Sequence, residues 1–176
     1  MKAKSIYLRP LLQQDNKRIY QAVHDEEIRY MTGTRNMFTM EQLDKHIERI
    51  ENDDTRYDFA ICLVNSDELI GDLSILEIEK ENRKAGFRIA LHDKQYFNKG
   101  YGTEAVMLAL QFTFETLKLN RLQLEVYSHN KRGINAYQKA GFKIEGVIRD
   151  SIYMNGQYSD EIIMGMLASD YEEKIR

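Results

Sequence analysis

The residues with the most evident chemical capacity lie together in Tyr96-Phe97-Asn98-Lys99-Gly100-Tyr101-Gly102-Thr103-Glu104-Ala105. Gly100 and Gly102 carry no Cβ, so the chain can turn tightly there and a ligand can approach the backbone. A strand-like run, Ala85 to Leu91, precedes the stretch, and a long apolar helical pattern follows it. The first amides of that helix have no intrahelical partner, and the helix dipole adds partial positive charge. Strand, glycine turn and helix N-terminus together form an anion site suited to phosphate. Lys99 adds a formal positive charge. An ordinary strand-to-helix corner would use glycine in the same way, and on this stretch alone the two readings stand level. No Lys-Ser/Thr pair follows the second glycine and no third glycine completes a dinucleotide fingerprint, which excludes both of those nucleotide motifs.

The elements that must position this turn follow from periodicity and punctuation. Ile6 to Leu11 reads as an edge strand ending near Pro10, the only proline. Asp15 is expected to cap a helix running to about Ile28, and Thr39 with Gln42 forms a capping box ahead of Leu43, Ile47 and Ile50. Tyr30 to Phe38 has no clear period and reads as a loop. Phe59 to Val64 and Leu69 to Leu76 are strands joined by a turn at Asn65 to Glu68, and Glu77 to Lys84 is an exposed turn. The helix from Thr103 to Lys118 is apolar nearly all round, so it must be mostly buried against the sheet. Leu122 to Tyr127 alternates as a strand does. Asn130 can cap a short helix that stops at Gly141. Phe142 to Ile148, Ser151 to Met154 and Asp160 to Leu167 are strands, the last two joined by an Asn155-Gly156 hairpin.

Composition bounds the function. The chain has 176 residues, 43% hydrophobic and 30% charged, which suits a single domain spanning residues 1–176. A net charge of −3 argues against a nucleic-acid binder driven by a basic surface. The single cysteine, Cys62, excludes an internal disulfide and reads as a small buried hydrophobe in a reduced compartment. No apolar run approaches membrane-spanning length and Met1 to Lys4 lacks a signal-peptide segment, so a cytoplasmic protein is expected. His24, His46, His92 and His129 are scattered without ligand spacing, so no metal is expected.

Two separated blocks carry a resemblance. Gly86 to Ala105 resembles the acetyl-CoA pyrophosphate loop of the GNAT superfamily of N-acetyltransferases. Asn130 to Phe142 (Asn-Lys-Arg-Gly-Ile-Asn-Ala-Tyr-Gln-Lys-Ala-Gly-Phe) resembles the family's Asn...Tyr-x-Lys-x-Gly-Phe element. Leu8-Arg9-Pro10-Leu11 and Met154-Asn155-Gly156-Gln157-Tyr158-Ser159-Asp160 are similar to the ribosomal-protein acetyltransferase branch and its spermidine/spermine acetyltransferase relatives. Phe97 stands where Gln or Arg is frequent in the superfamily, but an aromatic is common in this branch. Gly86 stands where some polyamine acetyltransferases carry an acidic residue, which weakens the polyamine reading.

The resemblance implies an α/β fold with a mixed, mostly antiparallel twisted sheet splayed around the cofactor and about four flanking helices. It implies direct acetyl transfer from acetyl-CoA to a primary amine, a protein N-terminus or a small amine, in a ternary complex. A spermidine or spermine acetyltransferase is the alternative, and a non-catalytic acyl-CoA-binding module the reading from another class. A homodimer is the expected assembly. Cofactor contacts fall on Ile89, Ala90, Leu91, Phe97, Asn98, Lys99, Gly100, Tyr101, Gly102, Thr103, Asn130, Asn135 and Tyr137. Acceptor contacts are expected from Tyr30, Met31 and Phe38. Tyr137 is placed beside the thioester sulfur as general acid, since a phenol of pKa about 10 is protonated at neutral pH. Such an acid predicts a loss of activity on the alkaline limb. The base stays open among Glu77, Glu79, Glu125 and a water chain.

Overall fold

The computed structural model describes residues 1–175. Seven strands form one sheet in the order β1-β2-β3-β4-β5-β7-β6. They are β1 (Ile6–Pro10), β2 (Tyr57–Leu63), β3 (Leu69–Glu79), β4 (Lys84–Leu91), β5 (Arg121–Tyr127), β6 (Lys143–Met154) and β7 (Gln157–Leu167). All neighbours are antiparallel except β4 and β5, which pair in parallel only over Lys84–Gly86 and Arg121–Gln123. Beyond Gly86 the two strands part. The sheet therefore opens a wedge at its middle, on the side toward which β4 and β5 both run.

Six α-helices accompany the sheet, more than the about four expected: α1 (Asn16–His24), α2 (Glu26–Thr32), α3 (Met40–Ile50), α4 (Tyr101–Gln111), α5 (Lys131–Ala140) and α6 (Ala168–Ile175). Helix α4 packs on β1 and β4, and α2 on β4 and β5. The core between sheet and α4 joins Leu73, Ile75 and Phe87 to Ala105, Val106, Ala109 and Leu110. Fully burying Leu110 stabilises the fold by roughly 1.5–3 kcal/mol. Among the described residues no helix is long and apolar enough to cross a membrane.

Several local expectations are met. Thr39 and Gln42 exchange the two bonds of a capping box at 3.2 and 2.9 Å. Gly141 ends α5 in the left-handed region. Asn155 and Gly156 both have positive φ (51° and 78°), as the hairpin between β6 and β7 requires.

Others are corrected. The helix expected from Asp15 to Ile28 breaks at Asp25, whose extended backbone and carboxylate cap a new helix by accepting the Ile28 N–H at 3.0 Å. Asp15 does not cap α1 with its side chain. It accepts two bonds of 2.7 Å from Arg9 and the Leu12 N–H at 2.9 Å. Tyr30 to Thr32 belong to α2, so the loop is shorter than the Tyr30–Phe38 span. The long helix ends at Gln111 and continues as one π turn over Phe112–Thr116. The two strands read in 142–154 are one, β6, with an irregularity between Ile148 and Ile152 where Asp150 takes φ 51°. The C-terminal α6 had no counterpart in the sequence reading.

Candidate active site

The wedge between β4 and β5 is hollow. One cavity, of about 650 Å³, runs from Ile89, Ala90 and Leu91 past Phe97, Asn98, Gly100, Gly102 and Thr103 to Asn130, Asn135 and Tyr137. A second, of about 380 Å³, lies under α2 and carries Met31, Phe38, Asp72, His92 and Glu125 in its wall. Ile28, Met31, Thr32, Ile89, Ala90, Asn130 and Tyr137 line both, so the two cavities meet at a seam. The strands that would otherwise close this space cannot pair there.

The glycine turn shapes the first cavity. Asn98 (φ 59°) and Gly100 (φ 85°) both adopt the left-handed conformation, which bends the chain into α4. Gly100 is the N-cap residue and supplies no side-chain cap, so the first-turn amides of α4 keep their donors. A Cβ built on Gly100 meets no atom within 4 Å, and one on Gly102 meets only Leu91 Cδ1 at 3.9 Å. The surroundings of this backbone are open, as an anion held by main-chain donors requires. Opposite, the Arg132 guanidinium stacks 3.7 Å above the Phe97 ring and brings a positive charge into the cavity wall. Arg132 was given no role in the sequence, although it stands inside the Asn130–Phe142 block. Only its meeting with Phe97 marks it.

Tyr137 sits on the seam, from the inward face of α5. Its residue is 8% exposed, and its ring packs edge-on against Phe87, with centroids 6.5 Å apart. Its hydroxyl has no hydrogen-bond partner among the described residues, and burial pushes its pKa up to about 12. Asn130 caps α5 by accepting the Gly133 N–H at 2.9 Å and also donates to Met31 O at 3.2 Å. Next to it, His129 Nε2 donates to Tyr30 O at 2.8 Å while Nδ1 lies 2.9 Å from Ser159 Oγ. The end of α2 is thereby tied to the junction that carries Tyr137.

Three expected contacts fall outside both cavities. Lys99 is exposed in the turn, Tyr101 packs against the core from the first turn of α4, and Tyr30 stacks on His129 with centroids 4.1 Å apart. Of the candidate bases, Glu125 lines the second cavity. Its carboxyl is held above its ordinary pKa by partial burial first, then by Glu161 and Glu77. Glu77 and Glu79 line neither cavity, and Glu79 is engaged by Asn82 and Lys84. Among the described residues no cluster of three or more His, Cys, Asp or Glu side chains is placed to hold a metal ion.

Comparison with known proteins shows the family of the chain. Residues 5–143 match the Acetyltransferase (GNAT) domain family. The chain belongs to the GNAT family. It is 31% identical to the probable N-acetyltransferase YjcK of Bacillus subtilis, over 98% of this chain and 99% of that one. It is 30% identical to the spermidine N(1)-acetyltransferase of Escherichia coli K12, over 96% of this chain and 89% of that one. The solved spermidine N-acetyltransferase of Vibrio cholerae, in complex with CoA and spermine, superposes with a TM-score of 0.88 at 24% identity, covering 95% and 98% of the two chains. This GNAT enzyme is an N-acetyltransferase whose cosubstrate is acetyl-CoA.

Proposed function

We propose that the protein transfers acetyl to a small aliphatic primary amine, with acetyl-CoA in the larger cavity and the amine entering through the smaller. The observation that carries this reading is the shared wall: Tyr137, Ile89 and Ala90 belong to both cavities. The open backbone at Gly100 and Gly102 fits a pyrophosphate, and Arg132 lies where it would add charge to that contact. Acetyl-CoA supplies the acetyl thioester. Tyr137 then protonates the departing sulfur while the C–N bond forms and the C–S bond breaks, and the proton released by nitrogen restores the phenol.

Both signs of charge line the smaller cavity, but Arg29 is engaged by the Thr34 and Arg35 carbonyls, and Arg88 and Asp72 lie against each other. The Glu125 carboxylate makes no hydrogen bond or ion pair with the protein among the described residues, so it is free to hold an ammonium. The relative from Escherichia coli bears spermidine in its name. A thiol-release assay with acetyl-CoA against spermidine, single alkylamines and N-terminal peptides tests the reading. Turnover confined to the small amines is expected. Turnover of peptides alone would replace it with protein N-terminal acetylation, and tight CoA binding without turnover of any amine would leave only a binding module.

The same reading keeps the protein in a reducing, cytoplasmic setting, in keeping with the free, buried Cys62. It takes the exposed Ile144, Val147, Ile148 and Tyr153, along the unpaired edge of β6, as the face on which a second copy packs. The Vibrio cholerae relative is described as dodecameric. Sedimentation velocity showing only monomer would contradict that assembly.

A further inference from the structure

Strands β3 and β4 bring three ionisable residues to the wall of the smaller cavity, none of them used above: Asp72, His92 and Arg88, whose guanidinium lies 3.6 Å from the second Asp72 oxygen. Asp72 pairs with Ala90 across the ladder, which sets its side chain diagonal to His92 two residues on. His92 Nε2 lies 2.6 Å from Asp72 Oδ1, and the two residues are 6% and 8% exposed. A carboxylate can only accept, so Nε2 carries the proton and Nδ1 holds the ring's lone pair. Nδ1 is buried and has no hydrogen-bond partner among the described residues. Leaving such a group unsatisfied costs about 1–3 kcal/mol, and folded proteins seldom do so without a use for it. Burial alone would raise the Asp72 carboxyl, but the His92 hydrogen bond and the Arg88 guanidinium hold it below its ordinary range. A carboxylate behind one ring nitrogen fixes the tautomer and stabilises the imidazolium formed when the other nitrogen takes a proton.

We propose that His92 Nδ1 is the base that deprotonates the acceptor's ammonium, with Asp72 as its positioning residue. The inference rests on the acetyl-transfer reading. The ammonium N–H bond breaks with its electron pair left on the acceptor nitrogen, and a new N–H bond forms at Nδ1, directly or across one water. The positive charge passes to the imidazolium facing Asp72, and the proton leaves to solvent after transfer. Glu125 holds the cation but does not take its proton.

Kinetic, calorimetric and NMR measurements on the full chain test this. His92→Gln should lower kcat about 10²-fold or more with a primary alkylamine, leaving CoA affinity by calorimetry unchanged. With an O-alkyl hydroxylamine, which is already neutral at the assay pH, His92→Gln should turn over at the wild-type rate, whereas Tyr137→Phe should stay impaired. Asp72→Asn, which keeps the side chain's shape, should show the same acceptor-dependent loss. In the free protein, nitrogen-15 NMR of the imidazole should find Nε2 protonated and Nδ1 bare. A His92→Gln rate equal to wild type with the alkylamine, equal losses with both acceptors, or the reverse tautomer would overturn the inference. So would the acceptor-dependent loss appearing in Glu125→Gln instead. A wild-type protein that acetylates neither acceptor would overturn the functional reading beneath it.

Discussion

Tyr137→Phe is expected to lower kcat by about 10²-fold or more while the acetyl-CoA KM and the melting temperature change little. The substitution removes one hydroxyl that has no protein partner, so no buried group is orphaned and the ring's packing on Phe87 and Phe142 survives. Water can also protonate a thiolate, whose conjugate acid has a pKa of about 8.5, which limits the loss. Tyr137→Ala separates the roles: it also opens a hole at the seam. If Phe keeps full kcat and only Ala is impaired, Tyr137 merely packs. The pH profile supplies a sign. Burial raises the phenol to about 12, so the proton it must donate stays on it through the usual assay range. The alkaline loss foreseen from an unperturbed phenol therefore moves up, and kcat should show no fall assignable to Tyr137 before about that pH. A fall near pH 10 that vanishes in the Phe variant would show a phenol far less buried.

Gly102→Val is expected to raise the acetyl-CoA KM roughly 10²-fold or more, with the fold intact. The new Cβ meets nothing closer than Leu91 Cδ1 at 3.9 Å, so the protein itself has room for it. Its methyl groups would instead fill the space in front of the first-turn amides of α4. Losing two hydrogen bonds to a charged group, at about 1.5–3 kcal/mol each, corresponds to roughly 10²–10⁴ in affinity. Lys99→Ala should matter far less, because Lys99 is exposed and lines neither cavity. Calorimetry showing unchanged CoA affinity in Gly102→Val would remove the glycine turn from the cofactor site.

The parts legible in sequence are those whose physics is local. The glycine turn, the Asn130 cap, the Gly141 stop and the Asn155-Gly156 hairpin each need a residue type that few alternatives satisfy, and each stands where it was read. The break at Asp25 hid because α1 and α2 share one apolar periodicity, and only a carboxylate turned onto the Ile28 N–H separates them. Asp15 looked like a cap because its real partner, Arg9, lies on the preceding strand. The smaller cavity was the least legible part. Asp72 and His92 stand twenty residues apart and meet only through the register of β3 on β4, which no spacing rule encodes. His92 therefore passed as one scattered histidine among four.

The central claim is that both substrates occupy the meeting cavities at once and acetyl passes directly between them. Initial rates measured over a matrix of acetyl-CoA and amine concentrations test it most directly. Lines that intersect in the double-reciprocal plot are predicted, as a ternary complex requires. Parallel lines, the signature of an acetylated enzyme formed before the amine binds, would contradict it.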